Sequence, residues 1–285
     1  MLAGFICPDG EPVTLPDCMK ECRLGRRCLT KATLEALAVG SREWDGKPHV
    51  TQLLNGTMME YLRITNDYYS SPQSMAFALL GSTHHKLLED DSVREDVKRM
   101  SEVHLSNDLI QGTVDLIELE DDGFVMTDYK TWGSYRVKRA KGLVKRGTRG
   151  DTWFTVDPEQ IDLRDAELQL NMYRIMAEEK YGIRISRMQV QVTVRDGGTR
   201  IAKSYGVMEN MYLLPVQRLT DSFINAFIEQ KSKALLDSVN AGVYPPICSP
   251  EERWHDMRSG KDRRCESYCE VAKFCPHGQQ VLGVS

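Results

Sequence analysis

The chain has 285 residues, 41% of them hydrophobic and 27% charged, an ordinary soluble globular composition with enough apolar residues for a substantial core. Its net charge of −4 argues against non-specific binding to nucleic acid. No apolar run approaches the roughly 20 residues that span a bilayer, and Pro8, Asp9 and Glu11 break the amino terminus too soon for a secretion signal, so a cytoplasmic protein without membrane contact is expected.

The first feature along the chain is a group of cysteines, Cys7, Cys18, Cys22 and Cys28. A second group, Cys248, Cys265, Cys269 and Cys275, closes the chain, and both contain the spacing C-x3-C-x5-C. Without an export signal, disulfides are a poor explanation. Thiolates a few residues apart are what zinc or an iron–sulfur cluster requires.

Between the groups, residues 29–38 read as a short helix, 40–50 as a loop and 71–100 as a helix opened by Ser71-Pro72. Residues 101–106 alternate as a strand. The runs 109–119 and 124–132 are two more strands, joined by a turn at 120–123. A stretch at 134–150 then carries seven Lys or Arg and no acid, and reads either as solvated surface or as a phosphate-binding strip. A helix is expected from near Pro158 to Gly182. A strictly alternating strand covers 183–195, and a helix runs from Pro215 to Asn240, where the stretch 242–252 breaks it. This order predicts a cysteine-rich segment at 1–40, a mixed α/β core at 41–240 and a cysteine-cluster segment at 241–285.

The strands hold the chemistry. Asp128 and Lys130 are two residues apart and project to one face, and Asp115 on the partner strand reaches that face if the register allows. Hydrolysis of a phosphodiester needs a divalent cation on hard oxygen ligands and a cation beside the attacking water. An ordinary hairpin with a salt-bridged edge would look the same.

Four motifs in order decide between these readings. The stretches "GSTHHKLLE" (81–89), "GTVD" (112–115), "DYK" (128–130) and "QLNMY" (169–173), with flanking cysteines, resemble the RecB-like branch of the PD-(D/E)XK nuclease superfamily. That branch includes the CRISPR-associated RecB-type exonucleases and the AddB nuclease domain. The resemblance implies a restriction-endonuclease-like mixed sheet flanked by helices, with cysteine-rich extensions forming metal or iron–sulfur centres. It implies that Asp115, Asp128 and the backbone carbonyl of Tyr129 bind the metal ion. His85 would be a further ligand that favours Mn²⁺ over Mg²⁺. Lys130 would position the water, and Gln169 and Tyr173 would line the site. Glu102 is an auxiliary acid in this scheme. His104 is expected to be structural, and His255 is given no role.

The expected activity is a Mg²⁺- or Mn²⁺-dependent DNA exonuclease acting on single-stranded or end-bearing DNA. Its context would be recombination, repair or CRISPR adaptation, with a partner protein from that process. The alternative is a catalytically silent DNA-binding scaffold on the same fold. Arg136, Lys138, Arg139, Lys141, Lys145 and Arg146 are the candidate DNA contacts. Two cysteine arrangements compete. Either Cys28 joins Cys265, Cys269 and Cys275, or Cys248, Cys265, Cys269 and Cys275 hold one centre while Cys7, Cys18, Cys22 and Cys28 hold a separate zinc. The resemblance tips the rear centre toward a [4Fe–4S] cluster, with zinc as its alternative.

Overall fold

The computed structural model describes residues 1–39, 44–77, 79–81, 99–148 and 151–284. It divides into two compact units, one formed by Met1–Leu79 with Phe227–Ser285 and the other by Leu80–Ala226.

In the first unit, β1 (Leu2–Ile6) lies between antiparallel β2 (Pro12–Thr14) and parallel β3 (Tyr68–Ser70). Gly4 permits this sandwich, because a Cβ there would collide with the Val13 carbonyl and the Tyr69 ring. Helix α1 (Leu15–Lys20) starts where the Thr14 hydroxyl accepts the Asp17 N–H. Helix α2 (Lys31–Val39) buries Leu34 and Leu37 against Phe5, with Cys18 and Leu29 at the margin. Helix α3 (Thr57–Thr65) buries Met58, Met59, Tyr61 and Leu62 against Leu235 and Val271.

The second unit is built on a five-stranded sheet of β4 (Arg99–Ser106), β5 (Gln111–Glu120), β6 (Gly123–Trp132), β9 (Ile185–Val194) and β10 (Met211–Val216), ordered β10-β9-β6-β5-β4. Only the β6–β9 pairing is parallel. Its crossover therefore needs a long connection, supplied by α4 (Ser134–Ala140), the hairpin of β7 (Leu143–Thr148) with β8 (Asp151–Val156), and α5 (Arg164–Tyr181). Strand β6 is central, and Val125, Met126, Thr127 and Asp128 are buried in succession. An ionisable residue in such a strand must find partners within the protein.

The fold departs from the sequence reading at several points, and Arg99 and Met100, expected to end a helix, begin β4. The basic stretch is a helix and a strand whose inner side is buried through Val137, Ala140 and Leu143, while Arg139, Lys145 and Arg146 are exposed. Pro158 opens a single 3₁₀ turn, and the long helix begins only at Arg164. The helix expected from Pro215 starts at Asp221 as α6 (Asp221–Ala241), since Met211–Val216 pairs with β9 as an edge strand, the one place where a sheet tolerates proline.

Helix α5 is held by polar groups as well as by its apolar face. The Asn171 amide donates to the carbonyls of Glu167 and Gln217 at 2.8 Å each, and its oxygen accepts the Leu219 N–H and Arg174 Nε–H. Arg174, fully buried, pairs with Glu178 at 2.9 Å and Asp221 at 2.6 Å. The chain then returns to the first unit, with the two-residue strands β11 (His255–Asp256) and β12 (Lys261–Asp262), helix α7 (Arg263–Ser267) and helix α8 (Pro276–Leu282). Replacing Asn171 by Leu strands several buried partners at once. Urea denaturation followed by circular dichroism should show a loss of about 2–4 kcal/mol.

Candidate active site

The acids of the sequence motifs stand where the sheet's ladder breaks. Strands β5 and β6 pair from Glu120–Gly123 to Leu116–Thr127, and the backbone ladder ends there. One step further Asp115 is opposite Asp128, and the Tyr129 N–H donates to Asp115 Oδ2 at 2.6 Å. A carboxylate has taken the place of a backbone carbonyl. Strand β4 is irregular at the same level. Ser101 pairs with Leu116 and Val103 with Val114, but Glu102 between them drops out, with a φ of 48° that side chains other than glycine rarely adopt. Glu102, Asp115 and Asp128 therefore occupy one row of backbone positions across three strands. Among the described residues, no three His, Cys, Asp or Glu side chains converge closely enough to hold a metal ion as they stand.

Lys130 is drawn into this row. Its Nζ lies 2.6 Å from Asp128 Oδ2 and donates to Gln169 Oε1 at 3.0 Å. The Gln169 amide donates in turn to Asp128 Oδ1 at 3.2 Å, closing a three-membered ring of polar contacts. Gln169 reaches the strand from α5, and both it and Asp128 are buried. The amide suits this place because it accepts from the ammonium and donates to the carboxylate at once.

Tyr173, one turn further along α5, does a different job. Its ring covers Gly112, where a Cβ would stand 2.8 Å from Cε1 and 3.0 Å from the hydroxyl oxygen. The glycine of "GTVD" and the tyrosine of "QLNMY" thus explain each other, since only a bare Cα lets the helix sit this close to β5. His85 and the rest of its motif after Gly81 lie outside the described residues. Gly81 itself is beside Thr131 of β6. His104 is exposed, and its carbonyl accepts from Lys180 at 2.8 Å.

The six candidate DNA contacts divide. Arg136 and Arg139 both pair with Asp162, at 3.1 and 2.6 Å, and Arg136 also covers the Trp132 ring. Lys138 stands over Tyr205 and Lys141 over Tyr212. Lys145 and Arg146 are exposed on β7.

All eight cysteines carry free thiols, and they sort by position into two sets within the first unit. Cys18 has Cys28, Cys7 and Cys22 as electrostatic neighbours and borders the Phe5–Leu34–Leu37 core. Cys265 has Cys248 and Cys275 as neighbours, Cys269 has Cys265, and three of these four join the other core around Met59 and Val271. Burial pushes the Cys265 thiol up to about 11 and Cys269 to about 12. Cys248 is raised by burial and by Glu252, partly offset by a hydrogen bond from the Met59 amide. Its sulfur lies against Gly56, where any Cβ would collide with it.

Sequence reasoning missed one constellation beside the rear set. Asp262 accepts from His255 Nδ1 at 2.7 Å and from His277 Nε2 at 2.6 Å, and the Arg253 guanidinium lies beside them with its Nε 3.6 Å from the same carboxylate. Spacings of seven and fifteen residues around the aspartate match no recognisable motif.

The sheet presents an acid on one strand and acid-x-lysine on the next, backed by a glutamine from a helix. The family model of the PD-(D/E)XK nuclease superfamily matches residues 32–276, and the chain belongs to that superfamily. No curated protein matches the chain. Among solved structures, one titled "Crystal structure of SSO0001" is similar at a TM-score of 0.45 and 15% identity, covering 86% of this chain and 94% of that one. No helix among the described residues is long and apolar enough to cross a membrane.

Burial pushes the Asp262 carboxyl up, but the hydrogen bonds from His277 and His255 outweigh it and hold the group below the usual carboxylate range. A lowered folded value stabilises the protein fully above the unfolded value of about 3.9, and the contribution disappears as pH falls through the folded one. Urea midpoints measured from about pH 5 down to pH 2 should therefore fall more steeply for the wild type than for Asp262→Asn.

Proposed function

We propose that the protein is a Mg²⁺- or Mn²⁺-dependent deoxyribonuclease of the RecB-like branch, degrading DNA from ends or along single strands. The observation that carries this reading is the closed Asp128–Lys130–Gln169 set beside Asp115, at the point where β5 and β6 part. The donor set suits a hard divalent cation: two buried carboxylates stand opposite each other, one of them paired with an ammonium, and the ladder is open beside them.

In this scheme Asp115, Asp128 and the Tyr129 carbonyl hold the ion, and His85 completes the set. A divalent ion there polarises the phosphate and lowers the pKa of the attacking water. Lys130 keeps its charge close to Asp128, where it orients that water and meets the negative charge that develops on the phosphate. Gln169 holds the ammonium in place by accepting one of its three protons while Asp128 takes a second, which leaves the third for water or substrate. Tyr173 sets the distance of α5 from β5, and so the reach of Gln169. Glu102 is available as an auxiliary acid in the same row. The processes this activity would serve are recombination, repair or CRISPR adaptation, alongside a partner protein.

In this reading the two cysteine sets form two separate centres, the rear four on a [4Fe–4S] cluster and the front four on zinc, and loading would have to draw the thiols together, since no three of them converge closely enough as they stand. As bare thiols Cys265 and Cys269 stay protonated at neutral pH, and a bound cationic centre is what would make thiolates there. In this arrangement Cys265→Ser removes iron and visible absorbance while zinc is retained, and Cys22→Ser does the reverse. Loss of iron from Cys28→Ser would instead favour the shared centre.

The activity test uses anaerobically purified protein and end-labelled single- and double-stranded DNA with Mg²⁺, Mn²⁺ or chelator. The wild type should degrade DNA only with metal. Lys130→Ala should be slower by about 100- to 1,000-fold, and Gln169→Ala, which disturbs only a supporting contact, by about 10- to 100-fold. An inert wild type with intact centres, or Lys130→Ala cleaving at the wild-type rate, sinks the assignment.

A further inference from the structure

The basic stretch that follows the site ends in a hairpin whose two faces are unlike. Cross-strand partners share a face, and the register sets Arg146 opposite Trp153 and Lys145 opposite Phe154. The Phe154 ring lies against Gly206, where a Cβ would come within 2.5 Å of it, so that face is turned to the body of the unit. The other face looks outward. There the Trp153 ring is 52% exposed, with one edge resting on Gly147. Gly147 has a φ of 88°, and a Cβ on it would meet Trp153 Cζ3 at 2.7 Å. Arg146 is steadied beside the ring by a hydrogen bond from Nε to Thr155 Oγ1 at 3.2 Å. The one acid of the two strands, Asp151, is at the far end of the hairpin opposite Thr148.

We infer that this outer face is a platform for single-stranded DNA, on which Trp153 stacks an unpaired base while Arg146 meets the neighbouring phosphate. A flat ring held in place on a small residue offers a π-face to any base, and an exposed guanidinium beside it supplies the opposite charge to a phosphate. Bases in a duplex are already stacked on each other, so only an unpaired or frayed end can use the ring. The four cations of α4 and its exit are occupied by Asp162, Tyr205 and Tyr212. The hairpin is the part of the basic stretch turned toward a partner. Trp153 is a binding residue here, away from the reacting atoms, and the choice of DNA as partner rests on the nuclease reading.

The experiment measures equilibrium binding of a fluorescent oligothymidylate, and of a blunt duplex of equal length, to the full chain with chelator present. Hydrolysis then plays no part. Trp153→Ala should bind the single strand roughly 5- to 100-fold more weakly, with duplex binding unchanged. Trp153→Phe should recover most of the loss, and Arg146→Ala should weaken both substrates and flatten the salt dependence. Equal single-strand affinity in Trp153→Ala and wild type, or no measurable single-strand binding by the wild type, overturns the inference. Cleavage assays on the same proteins separate the two readings. Metal-dependent cleavage with an unaffected Trp153→Ala leaves the nuclease and removes the platform. Trp153-dependent binding without cleavage leaves the platform and removes the nuclease.

Discussion

The Tyr129 N–H goes to the carboxylate of Asp115 where a regular antiparallel pair would send it to a backbone carbonyl. Strands β5 and β6 must part at that step to let a side chain in, and their parting gives the two acids room to stand opposite each other. On its other edge β6 pairs with β9 without a break from Val125 to Trp132, so the strand stays anchored at the level where its ladder with β5 ends. Glu102, out of the ladder on β4 with its positive φ, marks the same level. Backbone strain of that kind persists only where surrounding structure holds it, and such places cluster at functional sites.

The lysine depends on this opening and on the helix behind it. A single ammonium beside a buried aspartate would collapse onto it and stay there. Gln169 divides the lysine's attention, and Tyr173 on Gly112 fixes how far Gln169 can reach. The helix itself is tied down by the buried Asn171 and Arg174 network, whose members make hydrogen bonds at nearly every polar position. A polar network so fully satisfied is rigid, and rigidity in α5 is what a precisely aimed lysine requires.

Charge in the basic stretch is largely committed to the fold: Arg136 and Arg139 pair with Asp162, Lys138 and Lys141 lie over aromatic rings, and Lys145 and Arg146 stand exposed on β7. At the other end of the chain's order, the two cysteine sets belong to different hydrophobic cores of one unit, so each could stabilise its own part of the fold.

The sequence by itself determined the superfamily, the strands β4, β5, β6 and β9, and the placing of Asp128 and Lys130 on one face, while the meeting of Asp115 and Gln169 with them depended on strand register and on α5. Period-2 alternation and short motifs are local signals, and these elements depend on local signals. It did not reveal that Gly112 exists for Tyr173 or that Gly56 exists for Cys248, because each pairing joins residues distant in the chain, nor that His255 and His277 meet on Asp262, because spacings of seven and fifteen residues match no motif. Strand β10 was hidden for a related reason: its pairing with β9 overrode a proline that, read locally, opens a helix. The two faces of the hairpin were likewise decided only in three dimensions. Whether Trp153 or Phe154 turns outward depends on which of them Gly206 can accommodate, and that contact bridges some fifty residues of chain.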